Sequence, residues 1–505
     1  MIDYDFYVWV QGAKTLTREG LSAAGKVYKE PLLSILLNLV APVFGGDYEV
    51  AGKAIALLSG SVAIGLLFRL ACDLQGSRGL ALLTALVTAA HPQVITYSTY
   101  PFSETPYLAL ILAAVYWFWR MEQGGSIGAA FASGLALGLA FLTRIPGIAT
   151  ALALFAVGIL TMAVERPWEA SRARRWAVLL LGFLLLAGPY WVSIRYHSGQ
   201  WQLSNKVASN VLIREAYSVH DPAQKVENYE RMLYSPDKPS RVAAAGGLFT
   251  SLLKDPVPAL AAYGHQFRLG LELAHWVFPL PLVALGLLAV GVLWRRDQVA
   301  RRRGVIYLAL LAPFFAYPLG HVEQRYMFPL IPVFMLLTVE GVQWVASFSP
   351  RLGWPGRGLA TVRRASVALA LVAAGLTVGW SARELAAYPY RSPWSEPIEL
   401  KQAGLWLKAH TPPGAIVMAR KPMVAFYADR PWVPLPYTDY EGLLQSLKSQ
   451  QVSFLVMDQL FAGRLRPQLR FLLYDPEAIR RLVALTPVHA MNERPGRGFI
   501  TYRVN

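Results

Sequence analysis

The chain has 505 residues, of which 55% are hydrophobic and only 16% charged, with a mean hydropathy of +0.36. An average soluble domain is about 25% charged, so the deficit places the chain in the membrane class, and its length calls for a separate soluble domain as well. The formal net charge of +17 does not indicate nucleic acid, because the arginines cluster in short connections between apolar segments, as the positive-inside rule requires. The single Cys72 excludes an internal disulfide and any multi-cysteine metal site. The N-terminus is acidic where a cleavable signal peptide would be basic and apolar.

The chain opens on Asp3-Tyr4-Asp5-Phe6-Tyr7, an acidic and aromatic stretch ahead of long apolar segments. Carboxylates at a membrane edge cost free energy unless they stay wet or paired. Residues Ala13–Lys29 are polar and amphipathic. Pro31–Phe44 is apolar but about 14 residues long, short of the roughly 20 a span needs, and reads as a helix lying in the interface. From Ala51 onward ten spans are expected, near 51–72, 78–99, 101–120, 126–143, 145–163, 175–195, 272–294, 303–320, 326–347 and 365–381. The predicted domains are therefore an outer-face loop (1–50), a multi-span membrane domain (51–381) with a long outer loop at 196–270, and a soluble α/β domain (382–505).

Every second connection is short and arginine-rich: Arg69 and Arg78; Arg120; Arg166, Arg172, Arg174 and Arg175; Arg295 through Arg303; Arg351 through Arg364. These are expected in the cytoplasm. The alternate connections then face outward, which gathers Asp3, Asp5, Glu104, Arg144 and the His321–Arg325 turn at one membrane surface. An outer N-terminus with no preceding span implies a missing first transmembrane helix. His91-Pro92 inside a span reads as a kink with a satisfied histidine. Trp117, Trp119, Trp191 and Trp276 read as an interfacial belt.

In the tail, helical periodicity at Ile398–Ala409 is followed by the turn Thr411–Gly414 and a strand at Ala415–Ala419. A helix at Tyr440–Lys448, a buried strand at Val452–Asp458 and a final strand at Gly498–Val504 complete an α/β pattern. It contains no glycine-rich phosphate loop and no zinc spacing.

A transferase at the outer face needs a carboxylate to deprotonate an acceptor hydroxyl and cations to hold an anionic leaving group. Asp5 and Glu104 are candidate carboxylates, while Arg144, His321 and Arg325 are the cationic candidates. Arg144 could instead snorkel to headgroups, and Glu104 could merely favour the start of its helix.

Several motifs then occur in order. Asp5 stands eight residues before Ala13, and Glu30-Pro31-Leu32-Leu33 opens an apolar helix. Phe102-Ser103-Glu104-Thr105-Pro106 opens a span, and a glycine-rich span ends at Leu142-Thr143-Arg144-Ile145-Pro146. Gly188-Pro189-Tyr190-Trp191 leads into the long loop, and Arg325-Tyr326-Met327-Phe328-Pro329-Leu330-Ile331-Pro332 follows later. In these features the chain resembles the GT-C superfamily of integral-membrane glycosyltransferases, in particular the dolichyl-phosphate-mannose mannosyltransferase and aminoarabinose-transferase-like families. It departs from their pattern at Glu30-Pro31 and in the missing first helix.

The resemblance implies a mostly α fold: a polytopic transmembrane helical bundle with a small C-terminal α/β soluble domain. It implies a plasma-membrane enzyme that moves a monosaccharide, with inversion, from a polyprenyl-phosphate donor to a glycan, lipid or protein acceptor at the outer face. In that scheme Asp5 is the base, with Asp3 beside it, and Glu104 is the second acid. Arg325, Arg144 and His321 hold the donor phosphate, and Asp5 and Asp3 could hold a divalent metal such as Mg or Mn. The competing reading is a polytopic transporter or lipid flippase with an outer soluble domain. The sequence shows no duplicated halves, and the ionisable candidates gather at one surface rather than at mid-membrane.

Overall fold

The computed structural model of the chain describes residues 4–164, 170–206, 213, 222–234, 256–294, 298–347, 397–492 and 495–505, with helical pieces between 367 and 383. The chain forms two compact units: residues 9–206 with 257–387, and residues 1–8 with 207–256 and 388–505.

The first unit is helical. In chain order the helices are α1 (Tyr4–Glu19, its first residues belonging to the second unit), α2 (Leu32–Val40), α3 (Tyr48–Gln75), α4 (Arg78–Ala89), α5 (Pro92–Thr99), α6 (Glu104–Glu122) and α7 (Ile127–Thr143). They continue with α8 (Gly147–Val164), α9 (Ala170–Ser198), α11 (Pro256–Val277), α12 (Leu280–Trp294), α13 (Gln298–Ala316) and α14 (Ile331–Ala346), while α10 (Pro222–Tyr234) belongs to the second unit. Short 3-10 turns at Tyr317–Leu319 and Gln324–Leu330 join α13 to α14. Local chemistry sets the ends. Asp47 caps α3 by accepting from Val50 N at 3.1 Å, and Gly76, at φ 65°, closes it in the left-handed region that glycine tolerates.

Helices stand at nine of the ten positions where spans are expected, and at the tenth, 365–381, the described residues 367–368, 371–372 and 374–380 are helical as well. Among the described residues three helices are long and apolar enough to cross a membrane, or five if each bent pair counts as one span. α7 falls short by length alone: its 17 residues rise only about 25 Å, against a hydrocarbon core of about 30 Å.

Among the described residues two spans are broken. The 78–99 segment bends by 61° between α4 and α5, at His91-Pro92, as its sequence suggests. The segment read as one span over 272–294 is instead two helices, α11 and α12, bent by 108°, because Pro279 and Pro281 cannot continue the backbone ladder. The 196–270 region, expected as a loop, contains α10 and the first half of α11.

Small residues let the helices approach closely. A Cβ on Gly134 of α7 would land on the carbonyl oxygen of Leu179 in α9, and one on Gly182 of α9 would meet Phe131 O at 2.8 Å. The expected tryptophan belt is only partly present. Trp117 and Trp276 are exposed, but Trp119 is buried in the core, and the Trp191 ring packs on Phe141 at 5.4 Å. Each faces inward because the helix turns it toward the bundle.

The second unit is built on a five-stranded sheet in the order β2-β1-β3-β5-β4. Its strands are β1 (Val417–Ala419), β2 (Trp432–Pro434), β3 (Phe454–Asp458), β4 (Leu485–Met491) and β5 (Phe499–Val504). β1 runs parallel to both β2 and β3, whereas β5 is antiparallel to β3 and to β4. The helix α15 (Ile398–His410) precedes β1, α16 (Met423–Ala428) joins β1 to β2, α17 (Tyr440–Ser449) joins β2 to β3, and α18 (Ala462–Leu465) follows β3. The β1 and β3 residues are buried on both faces, which explains why they read as continuous apolar runs rather than alternating ones. The start of α1 packs within this unit: Tyr4 and Tyr7 meet the Trp432 ring edge-on at 6.1 and 5.6 Å, and Phe6 meets Phe426 at 6.3 Å.

Candidate active site

The polar site of the helical unit forms where chain breaks expose backbone and side chains together. α7 stops at Thr143 because Pro146 follows, and Arg144 takes an extended conformation (φ −155°, ψ 135°). This turns its guanidinium inward, onto the first residue of α6. Arg144 Nη1 donates to Glu104 Oε1 at 2.5 Å and to Ser103 Oγ at 3.3 Å. The Glu104 side chain is 1% exposed and that of Arg144 only 12%, so Arg144 does not snorkel outward. The second carboxylate oxygen of Glu104 is buried and has no hydrogen-bond partner among the described residues.

Between α13 and α14 the prolines Pro318, Pro329 and Pro332 replace regular helix with 3-10 turns. The intervening stretch carries His321, Glu323, Arg325 and Tyr326. His321 Nε2 lies 3.0 Å from Glu323 Oε1 and 3.0 Å from the Tyr326 hydroxyl. Arg325 Nε lies 2.6 Å from Glu323 Oε2, so one carboxylate holds an imidazole and a guanidinium together. The turn is fixed from α11, where buried Gln266 accepts the Val322 N–H at 3.0 Å.

The Tyr326 ring joins the two halves. Arg144 and Arg325 both lie over it, at 5.3 and 5.5 Å from its centroid, and Tyr317 stacks against it at 5.1 Å. Glu104, Arg144, His321 and Arg325, hundreds of residues apart in part, therefore form one cluster, as the alternation of loops suggests. It offers two carboxylates, two guanidiniums and an imidazole around two phenol rings, a set suited to binding and polarising an oxyanion.

The remaining candidates stand differently. Asp5 is not in a loop but in the first turn of α1, where a negative charge favours the helix N-terminus. Asp3 lies outside the described residues. Among the described residues no three His, Cys, Asp or Glu side chains group as a metal-ligand set. The sequence reading missed Tyr317, Tyr326 and Gln266 as site residues, although Tyr326 follows Arg325 in the quoted motif. It also missed that both residues preceding Pro31 are buried. Glu30 accepts from Ser204 Oγ at 2.8 Å, and the Lys29 ammonium sits 4.1 Å from the Trp9 ring centroid.

A broken helical bundle, a polar cluster at the breaks and an appended α/β unit define the class: the chain is a multi-pass membrane protein with the fold of the GT-C glycosyltransferase superfamily. Residues 29–192 match the dolichyl-phosphate-mannose-protein mannosyltransferase family. Among solved structures the chain is similar to ArnT from Cupriavidus metallidurans in the apo state, at a TM-score of 0.54 and 14% identity, covering 99% of this chain and 93% of that one. ArnT from the same organism bound to undecaprenyl phosphate aligns at a TM-score of 0.51 and 16% identity, covering 94% of this chain and 87% of that one. No curated protein matches the chain in sequence.

Proposed function

We propose that this chain transfers a monosaccharide from a polyprenyl-phosphate donor to an acceptor hydroxyl at the outer face of the membrane, with inversion. The observation that carries the reading is the cluster of Glu104–Arg144 and His321–Glu323–Arg325 around one tyrosine ring. The ArnT structure solved with undecaprenyl phosphate supports a lipid-linked phosphate as the donor class.

In this mechanism the acceptor oxygen attacks the anomeric carbon as the bond from that carbon to the phosphate oxygen breaks. The electron pair of the broken bond leaves with the polyprenyl phosphate. Arg325 meets this developing charge with its forked donors, and His321 donates a further hydrogen bond. Arg144 holds Glu104 in place, and Glu104, through its second oxygen, orients a sugar or acceptor hydroxyl. Asp5 takes the acceptor proton, and attack opposite the leaving group inverts the anomeric centre. A Mg or Mn ion at Asp5 and Asp3 would neutralise phosphate charge, as hard cations favour carboxylate oxygens. No step above depends on it. The sugar acceptor is a glycan, a lipid or a protein, and the C-terminal α/β unit lies on the same outer side.

The test is release of polyprenyl phosphate in liposomes from a panel of polyprenyl-phosphate sugars, with host membrane extract as acceptor. Wild type releases it, Arg325→Ala does not bind the donor, and Asp5→Asn binds the donor without turnover. Equal turnover by Asp5→Asn and wild type removes Asp5 from the mechanism and moves the base to Glu104. No turnover of any donor by a folded wild type overturns the transferase reading.

A further inference from the structure

The C-terminal unit holds a second polar centre, separate from the one above. In its sheet, β1 leads through α16 to β2 on one side, while the chain leaving β3 goes on to β5 and β4 on the other. The boundary between β1 and β3 is therefore a topological switch point, where connections diverge and leave a crevice outside the carboxyl ends of the parallel strands. In doubly wound sheets that crevice is where ligands bind. Arg420 follows β1 directly, and Asp458 ends β3.

The crevice is filled by the chain itself. Glu230 of α10 accepts from Arg420 Nε at 2.8 Å and from Arg466 Nη1 at 2.6 Å, and Arg420 Nη2 donates to its other oxygen. Arg466 also donates to the carbonyls of Leu435 and Pro436, just past β2, at 2.9 and 2.7 Å. The Tyr234 ring lies under both guanidiniums, 3.9 Å from Arg420 and 5.5 Å from Arg466. Arg420 and Arg466 are 1% and 0% exposed, and Glu230 is 2%.

Two features go beyond a structural ion pair. One carboxylate serves two buried guanidiniums, and Arg420 Nη1 is buried with no partner among the described residues. The nearby Asp458 does not fill the deficit. Its oxygens accept the backbone N–H groups of Phe461 and Ala462 at 2.5 and 3.3 Å. Glu230 thus leaves one nitrogen of the Arg420 fork unsatisfied, and a phosphate, with more oxygens, offers that nitrogen a partner as well.

We propose that the β1–β3 crevice of the C-terminal unit is a binding site for an oxyanion of the phosphate class, and that Glu230 occupies it as an internal, displaceable ligand, making α10 a strap over the site. A phosphate-bearing molecule competes with Glu230 and frees α10. The inference does not depend on sugar transfer.

The experiment uses the full chain in detergent, with inorganic phosphate as probe and acetate and chloride as controls. Glu230→Ala binds phosphate at least about tenfold more tightly than wild type, because the strap no longer lowers the fraction of open site. Its loss of Tm is restored by phosphate, less by acetate and not by chloride, and adding Arg466→Gln abolishes the rescue. In wild type, phosphate raises deuterium uptake in 222–234 several-fold, and in Arg466→Gln it does not. Restoration by acetate as fully as by phosphate overturns the phosphate assignment and leaves a carboxylate site. Absence of rescue in Glu230→Ala, with unchanged protection of 222–234 in wild type, overturns the site itself and leaves Glu230 as a structural ion-pair partner.

Discussion

The imidazole of His91 spans two helix breaks. Its Nδ1 accepts the Gln93 N–H at 3.2 Å, capping α5, which leaves Nε2 protonated to donate to Val277 O at 3.1 Å. His91 sits at the 61° bend and Val277 at the 108° bend, so one neutral side chain ties both broken spans together. The histidine is satisfied, and its proline supplies the kink.

That arrangement predicts the effect of removing it. His91→Ala leaves a buried carbonyl and a helix-terminal N–H without their partner, at a cost of about 1–3 kcal/mol each if neither finds water. Tm in detergent should fall, and His91→Asn, which keeps only the cap, should recover part of the loss. Identical Tm values for wild type and His91→Ala would mean that each bend holds without the other.

The Glu104–Arg144 pair predicts strong coupling. Removing one partner strands a buried charge, so Glu104→Gln and Arg144→Gln should each cost about 3–5 kcal/mol in urea or thermal unfolding. The double variant should lose less than the sum, with a coupling above about 1 kcal/mol. Additive losses would show that the two side chains act separately. Arg144→Lys keeps the charge but not the fork, and should lower transfer more than it lowers stability.

Asp458 predicts the pH behaviour of the C-terminal unit. Burial raises its pKa from 3.8 to about 6, against the lowering by the Phe461 and Ala462 N–H groups and by Arg420, while Glu399 adds to the rise. Because the folded pKa lies above the unfolded one, the folded state holds the extra proton between these values. The stability it contributes is fully present below about pH 4 and is lost as pH rises through about 6. The rise from 3.8 to about 6 corresponds to about 3 kcal/mol at most. Asp458→Asn should flatten the fall in stability between pH 4 and 7, measured by denaturant titration of the full chain. A wild-type stability that rises across that window without change in the variant would remove Asp458 as its source.

Much of this protein is legible in its sequence because the relevant properties belong to neighbouring residues. Apolar runs mark helices at nine span positions, and β-prone runs mark three of the tail strands. His91-Pro92 marks its own kink, and arginine-rich connections sort Glu104, Arg144, His321 and Arg325 to one end of the bundle. The strands β2 and β4 escaped notice because neither is a continuous buried run: β2, as short as β1, is only partly buried, and β4 is half exposed. The break at Pro279 was hidden inside an apolar run whose composition is the same bent or straight.

The tertiary structure alone decided which charges meet. A glutamate reads the same in sequence whether water or a guanidinium surrounds it, because the cost of burial depends on packing rather than on neighbours in the chain. Only the folded bundle brings Arg144 to Glu104 across 40 residues. Only the folded sheet brings Glu230 to Arg420 and Arg466 across 190 and 236 residues. Hydrophobic period and turn chemistry thus determined the elements, while desolvation, which forces every buried charge to find a partner, selected the pairs once those elements packed.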